Sequence, residues 1–233
     1  MNIGLFGYGK MGKMIEKIAI QRNHTIVAKV DVDSKEIDYT KMDIAIDFSS
    51  PEAAYNNIKG CLEHNIPVIS GTTGWLNDYE KIISFCKNKN GAFIYASNFS
   101  LGVNLFFQLN RYLAKMMRNL PQYKASIEET HHLQKLDAPS GTAISLAEDI
   151  IDNSAYEGWL LGKSQDQNIP ITSKRIADEY GTHVVSYENE IDEIVIKHKA
   201  YNREGFALGA IVAAEWLIGK KGVFTMKDVL NLG

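Results

Sequence analysis

Asn2-Ile3-Gly4-Leu5-Phe6-Gly7-Tyr8-Gly9-Lys10-Met11-Gly12 joins a short apolar run to a Gly-x-Gly-x-x-Gly turn and then to a helical pattern. Residues 2–7 predict a buried strand, and Met14, Ile15, Ile18 and Ala19 recur at helical spacing behind the turn. In that strand-turn-helix setting the glycines permit a tight turn and let a pyrophosphate approach the backbone, where it rests on the helix N-terminus. Thr25-Ile26-Val27-Ala28-Lys29-Val30 predicts the next strand and delivers Asp31 about 20 residues past the turn, where a carboxylate can accept hydrogen bonds from a ribose 2′-OH. Gly7, Tyr8, Gly9, Lys10, Met11, Gly12 and Asp31 are therefore candidate dinucleotide contacts. At ~4 Å a carboxylate would repel a 2′-phosphate by on the order of 1–4 kcal/mol per unit charge. Val32, not an arginine, follows Asp31, so NADH is the expected donor over NADPH. Lys10, Lys13, Lys29 and Lys35 are the cations that could offset part of the repulsion.

Strand and helix alternate from there to about residue 100. Met42 to Phe48 predicts a third strand, and Ser49-Ser50-Pro51-Glu52 starts a helix with serine as cap and proline in the first turn, running to about His64. Ile66 to Ser70 predicts a fourth strand with Gly71-Thr72-Thr73-Gly74 at its C-terminal end, where open α/β sheets bind ligands. These residues read equally well as a simple turn and as a backbone surface for the nicotinamide half of a cofactor. A helix through Ile82, Ile83 and Phe85 leads to Ala92-Phe93-Ile94-Tyr95 and then Ala96-Ser97-Asn98-Phe99-Ser100. The alternation predicts a doubly wound parallel sheet.

The texture changes near Asn98 to Leu101, the expected domain boundary. Leu101 to Leu120 reads as one long apolar helix. The strands expected after it, Tyr123 to Glu129, Thr182 to Tyr187 and Glu193 to Lys199, suit an α+β domain with antiparallel pairing and a turn near Asn189. Residues 155–170 read as a polar connection. His183 and His198 are expected at the strand surface or at a subunit contact, and His24 and His64 as solvated or dipole-facing groups near helix ends. Phe206 to Ile218 is apolar nearly all round and must be buried, back against the first domain.

Between those strands lies the most chemically dense stretch, Glu129-Thr130-His131-His132-Leu133-Gln134-Lys135-Leu136-Asp137-Ala138-Pro139-Ser140-Gly141-Thr142-Ala143. Pro-Ser-Gly-Thr predicts a helix start reaching to about Ile151, and the unpaired N–H groups of such a start hold an anion, most simply a carboxylate. His131, His132 and Lys135 add donors that can carry positive charge. The whole reads as a carboxylate cradle with an acid beside it.

Composition excludes several classes. Hydrophobic residues make up 45% of the 233, enough for a substantial core. The 25 basic and 28 acidic residues leave a net charge of −3 with no long run of one sign, so neither nucleic acid nor a membrane surface is expected as a partner. The N-terminal apolar run is too short, and lacks the basic leader, for a signal peptide or a span. Cys61 and Cys86 have no metal-type spacing; no metal is expected, and the two read as buried thiols in a cytoplasmic protein.

Five segments together resemble the dihydrodipicolinate reductase family: Gly7 to Gly12, Gly71 to Gly74, Ala96 to Asn104, Glu129 to Ala143, and Arg203 with Phe206-Ala207-Leu208-Gly209-Ala210. The resemblance implies a nicotinamide-dependent reductase acting on a cyclic imine dicarboxylate. It also implies a Rossmann-like domain of residues 1–99 and 204–233 that binds the dinucleotide, a mixed-sheet domain of residues 100–203 for substrate and oligomerisation, and a homotetramer. His131 and Lys135 match the family's acid–base pair. His132, Ser140, Gly141, Thr142 and Thr73 match positions at or beside its substrate carboxylates. Gly7 to Gly12, Asp31, Gly71, Thr72, Thr73, Ala96, Ser97, Asn98 and Phe99 match its cofactor contacts. The chain departs from longer members in a glycine turn one residue shorter, the missing arginine after Asp31 and a shorter middle section.

Overall fold

β1 (Asn2–Phe6) enters the glycine turn and α1 (Lys10–Gln21) leaves it; β2 (Thr25–Val30), β3 (Ile44–Asp47), α2 (Pro51–Glu63), β4 (Val68–Ser70), α3 (Tyr79–Asn88) and β5 (Ala92–Tyr95) follow. The computed structural model describes every residue except Asp33, Lys35, Ser164 and Gly233. Lys35, one of the four lysines considered near Asp31, lies outside the described residues. Next come α4 (Leu101–Met117), β6 (Lys124–His131), α5 (Gly141–Ile151), β7 (Gly158–Leu161), β8 (Asn168–Arg175), β9 (Thr182–Glu188) and β10 (Glu193–Lys199). The chain ends with α6 (Glu204–Leu217), β11 (Gly222–Phe224) and α7 (Met226–Val229). It divides into two units, Met1–Leu101 with Glu204–Gly233, and Gly102–Arg203.

The first unit is a six-stranded parallel sheet in the order β11-β5-β4-β3-β1-β2. Strand neighbours alternate between two buried faces, as a parallel sheet covered on both sides requires. Ile44 and Ile46 join Ile3, Leu5, Ile69 and Ile94 in a layer closed by α1 and by Ala210, Ile211 and Ala214 of α6. Phe6, Ala45, Val68 and Phe93 face the other way, onto Ile58 and Leu62 of α2 and Ile82 and Cys86 of α3. Each fully buried aliphatic side chain contributes about 1.5–3 kcal/mol. Loops at the strand ends are therefore held on a stiff platform. Strand order reverses at β1, which opens a crevice between the C-terminal ends of β1 and β3.

The second unit is a five-stranded mixed sheet, β10-β9-β6-β8-β7, antiparallel from β10 to β6 and parallel from β6 to β7. Its core packs Phe106, Leu113 and Ala114 of α4 and Leu146, Ala147 and Ile150 of α5 onto Ile127, Ile171 and Val185. Asn110, fully buried on α4, donates to the Leu146 carbonyl at 3.0 Å.

Several expectations change. Residues 155–170 are not a featureless connection but hold β7 and the start of β8, with Ile169 and Ile171 buried. Pro170 masked β8, because a proline inside a run argues against a central strand. Ser50 occupies the cap position of α2, yet its hydroxyl caps no helix N–H. β11, a three-residue strand, adds an edge that the sequence pattern did not announce. His24 is not merely solvated: its ring lies 2.7 Å from Glu215 of α6. No helix among the described residues is long and apolar enough to cross a membrane.

Candidate active site

In the first unit the glycine turn wraps the mouth of the crevice. Gly7 has φ +87°, and a Cβ there would collide with the Phe48 carbonyl at the end of β3; a Cβ on Gly12 would collide with the Gly7 carbonyl. Both glycines are thus required by the fold. Gly9, the cap residue of α1, has nothing within 4 Å of the place a Cβ would take. Its backbone is open to a ligand. A cleft of about 630 Å³ borders Gly7, Tyr8, Gly9, Asp31, Ser49 and Asn57. Lys10, Met11 and Gly12 continue from it as the first turn of α1.

Asp31 is exposed at the cleft rim, and one of its oxygens accepts the Val32 N–H at 2.9 Å. Lys29 is drawn to Glu16 at 2.7 Å and to the Tyr8 hydroxyl at 2.9 Å, which also donates to Glu16. Hydrogen bonds from Lys29 and Tyr8 hold the Glu16 carboxyl below its usual range. Lys29 is accordingly committed to a neighbour of its own.

The loops after β4 and β5 sit at the same C-terminal edge of the sheet as the glycine turn. Asp47, fully buried at the end of β3, accepts from Ser49 at 2.6 Å, Asn57 at 3.2 Å, Ser70 at 2.8 Å and Thr72 at 2.7 Å. Burial raises its carboxyl, and those four donors partly restore the charge. Thr72 therefore turns its hydroxyl inward, and it also accepts the Ser49 N–H at 2.9 Å; only Thr73 of the pair is exposed. Phe99 is 1% exposed with its ring 5.7 Å from Phe48, so it packs in the core and offers a ligand no face of its ring. Ala96 is tied to β4 by its N–H on the Ser70 carbonyl at 3.2 Å, Ser97 is exposed, and Asn98 accepts the Ser100 N–H at 2.9 Å.

The second unit assembles its site by sheet register. Glu129 and His131, two apart on β6, project to one face. Glu129 stands opposite His183 of β9 and Ser173 of β8, and His131 opposite Arg175 of β8. Glu129 is fully buried and accepts the Ser140 N–H at 3.1 Å on each oxygen and the Ser173 hydroxyl at 2.7 Å; the Arg175 guanidinium is 3.5 Å away. His131 Nδ1 lies 3.4 Å from Glu129, and His183 Nε2 lies 3.8 Å from Glu129 and 3.2 Å from the Ser140 hydroxyl. The two imidazoles meet edge to face at 5.0 Å.

Charge here is set by burial and by these neighbours. Burial tends to raise the Glu129 carboxyl, but the Ser140 and Ser173 hydrogen bonds outweigh it and hold it below its usual range. Burial lowers His131 most, Glu129 pulls it back up, and Lys135 and Arg175 lower it further. His183 is pushed down to about 3, first by burial and then by His131. His183 is thus no surface residue, contrary to the sequence expectation, but a neutral buried group. His198 is half-buried, 6.0 Å from the Phe106 ring of α4. Glu129, His131 and His183 also gather one ligand atom each within 4.8 Å, but the fixed charge of Arg175 on the same carboxylate opposes a cation there.

Beyond β6 the chain loops through Lys135, Asp137 and a cis Ala138–Pro139 peptide to α5. Lys135 pairs with both oxygens of Asp137, at 2.8 and 2.9 Å, and that bond holds the Asp137 carboxyl below its usual range. Arg175 braces the loop through the carbonyls of Lys135, at 3.2 Å, and Asp137, at 2.6 Å. Ser140 caps α5 by accepting the Ala143 N–H at 3.2 Å, so its own N–H and hydroxyl are both engaged. The Gly141 and Thr142 N–H groups remain, with no acceptor among the described residues, and a Cβ on Gly141 would meet nothing within 4 Å. His132 is half-buried in this loop. His131, His132, Lys135, Ser140, Gly141 and Thr142 thus lie in the second unit, and Thr73 in the first.

Glu129, Ser173, Arg175 and His183 are the residues that sequence reasoning left without a role. Glu129 stood inside the quoted run and was the one detectable from it. The other three needed the register.

Gly9 and Gly141 each mark a helix start that is bare where a side chain would stand, one suited to a pyrophosphate and the other to a carboxylate near exchangeable protons. That division of labour is the one an NAD(P)H-dependent oxidoreductase needs, and this is the class of the chain. Family models described as the dihydrodipicolinate reductase N-terminus and C-terminus match residues 1–99 and 102–230. A 4-hydroxy-tetrahydrodipicolinate reductase of Christiangramia forsetii is 56% identical over 99% of this chain and 98% of its own length. One of Methanoregula boonei is 37% identical over 82% of this chain and 76% of its own. The solved dipicolinate-bound dihydrodipicolinate reductase of Paenisporosarcina sp. TG-14 shares the fold, with TM-score 0.81 at 22% identity over 97% of each chain. The chain belongs to the dihydrodipicolinate reductase family.

Proposed function

We propose that the chain reduces 4-hydroxy-tetrahydrodipicolinate, whose 4-hydroxyl leaves as water to give the conjugated imine dihydrodipicolinate, to tetrahydrodipicolinate for diaminopimelate and lysine synthesis. Bound NAD(P)H supplies a hydride to the conjugated imine. Lys135, with His131 as the second member of the pair, protonates the neighbouring carbon. Charge grows on the substrate as hydride arrives, so a cation and a proton donor held beside it lower the barrier. Gly141 and Thr142 take one carboxylate on the bare N–H groups of α5, with His132 beside them. Ser140 serves that cradle by capping the helix, and Thr73 is assigned to substrate binding by the family resemblance.

The observation that carries this reading is the Glu129 to Ala143 run, with its anion cradle at α5 and its acid–base side chains at the end of β6 and on the loop that follows. For the nucleotide, the glycine turn takes the pyrophosphate, Asp31 the ribose, and the backbones of Gly71 to Thr73 and Ala96 to Phe99 the nicotinamide half. NADH is the preferred cofactor. Asp31 faces the cleft, and Lys29, one of the lysines that could offset its charge, is already paired with Glu16.

We also propose a cytoplasmic homotetramer. Leu105, Leu109, Tyr112 and Met116 form an exposed apolar stripe along α4, and Ile194 and Val195 are exposed on β10, surfaces that association would cover. The rival reading, a semialdehyde dehydrogenase with a thiol nucleophile, has little support. Cys61 and Cys86 are buried in helices, and burial pushes both thiols up. The test is Lys135→Ala, followed by nicotinamide absorbance with freshly generated substrate. kcat falls by about 10²-fold or more, the range of a lost proton donor, while NADH affinity holds; near-normal turnover would remove Lys135 from the reaction.

A further inference from the structure

We infer that Glu129 is a positioning residue that fixes His131 as the Nδ1-protonated member of a buried carboxylate–imidazole pair, with His183 bracketing the pair. This rests on the assignment of His131 to the acid–base chemistry above. A fully buried carboxylate is costly unless its charge is used. The Ser140 N–H and Ser173 hydroxyl satisfy much of its hydrogen-bonding capacity, yet β6 aims it at an imidazole as well. His131 Nδ1 makes no hydrogen bond among the described residues, but it lies at ion-pair distance, 3.4 Å, from a Glu129 oxygen. A lone pair there would sit beside a negative charge, whereas a protonated Nδ1 is stabilised by that charge. The pair therefore selects one tautomer and leaves Nε2 as the nitrogen that exchanges a proton.

The surroundings keep the pair in register. The His183 ring packs edge-on against His131, and its Nε2 meets the Ser140 hydroxyl, so neither imidazole can turn without disturbing the cap of α5. Gly181, opposite His131 on the β9 side, has its vacant Cβ position 3.3 Å from His131 Nε2; a side chain there would crowd the ring. The charged and titratable groups facing His131 are Glu129 on β6, Arg175 on β8, His183 on β9, and Lys135 and Asp137 on the loop; His198 of β10 faces His183. Glu129 and Asp137 favour the imidazolium; Lys135 and Arg175 oppose it. Removing the Glu129 charge must then lower the pH at which His131 takes a proton.

The experiment compares wild type, Glu129→Gln, Glu129→Asp and His131→Asn by pH profiles of kcat and kcat/KM, NADH affinity and thermal stability. Glu129→Gln is expected to lose about 10²-fold in kcat, in keeping with disabled proton transfer, with NADH affinity within about threefold. Its His131-dependent limb moves to lower pH, and Glu129→Asp recovers part of both effects. A Glu129→Gln profile that superposes on wild type, or an activity loss that tracks melting temperature with no displaced limb, overturns the inference. Should Glu129→Gln fail to fold, ring-nitrogen NMR of the wild-type protein, with His131→Asn for assignment, decides it: an Nδ1–H tautomer supports the pair, and an Nε2–H tautomer overturns it. His131→Asn with near-normal kcat would remove the acid–base assignment itself. An impaired His131→Asn beside an unaltered Glu129→Gln would remove only the present inference.

Discussion

Gly7 and Gly9 differ by two positions and should fail in different ways when replaced by alanine. At Gly7 the backbone has φ +87° and a new Cβ would meet the Phe48 carbonyl, which belongs to the neighbouring strand end and cannot rotate away. The left-handed backbone costs about 1–2 kcal/mol and the overpacking a further ~1–3. A loss of about 3 kcal/mol in a chain of this size corresponds to a melting temperature roughly 6–12 °C lower. At Gly9 the backbone is extended, with φ −78°, and the Cβ would enter open space. The fold should lose less than about 1 kcal/mol, since alanine is only a poorer cap than glycine. If a pyrophosphate lies on that backbone, the methyl group displaces it and costs one charge-assisted hydrogen bond or more, about 1.5–3 kcal/mol. That is roughly a 10- to 150-fold weaker Kd for NADH. Differential scanning calorimetry and NADH fluorescence titration on both variants separate the effects. Normal stability in Gly7→Ala would refute the steric account, and normal NADH affinity in a folded Gly9→Ala would show that the nucleotide binds elsewhere.

Three further outcomes are expected. Asp31→Ser should improve kcat/KM with NADPH relative to NADH by about fivefold or more, taking the lower end of the ~1–4 kcal/mol repulsion, and an unchanged ratio would count against Asp31 as the discriminating group. Because His183 is held at about 3 in the folded chain against an ordinary 6.5, the unfolded chain binds the proton first. Stability is therefore fully present above about pH 6.5 and lost as pH falls toward 3, by roughly 2 kcal/mol at pH 5, and urea titrations should show this slope flattened in His183→Gln. Ser140→Ala removes the cap of α5 and a partner of His183, so it should cost about 1–3 kcal/mol in stability while raising substrate KM.

The parallel sheet was legible from the strand–helix alternation over about the first hundred residues because the signals there are local. An apolar run, a glycine turn and a helical repeat occupy consecutive positions, and each is dictated by backbone sterics and burial on both faces. The helix start at Ser140 and its cap were legible for the same reason, since a helix start is written in four neighbouring residues. β8 was not, because Pro170 contradicts a strand locally while Ile169 and Ile171 satisfy a core that only the folded sheet supplies. Thr72 and Phe99 were placed correctly at strand ends, but whether their side chains faced a ligand or the interior depended on Asp47 and Phe48, far away in sequence. The sequence by itself determined which segment gathers His131, His132 and Lys135 and which glycine turn opens the first helix. Tertiary structure alone decided that His131, Ser173, Arg175 and His183 converge on Glu129, because three strands must pair in one register before residues so far apart along the chain can share a carboxylate.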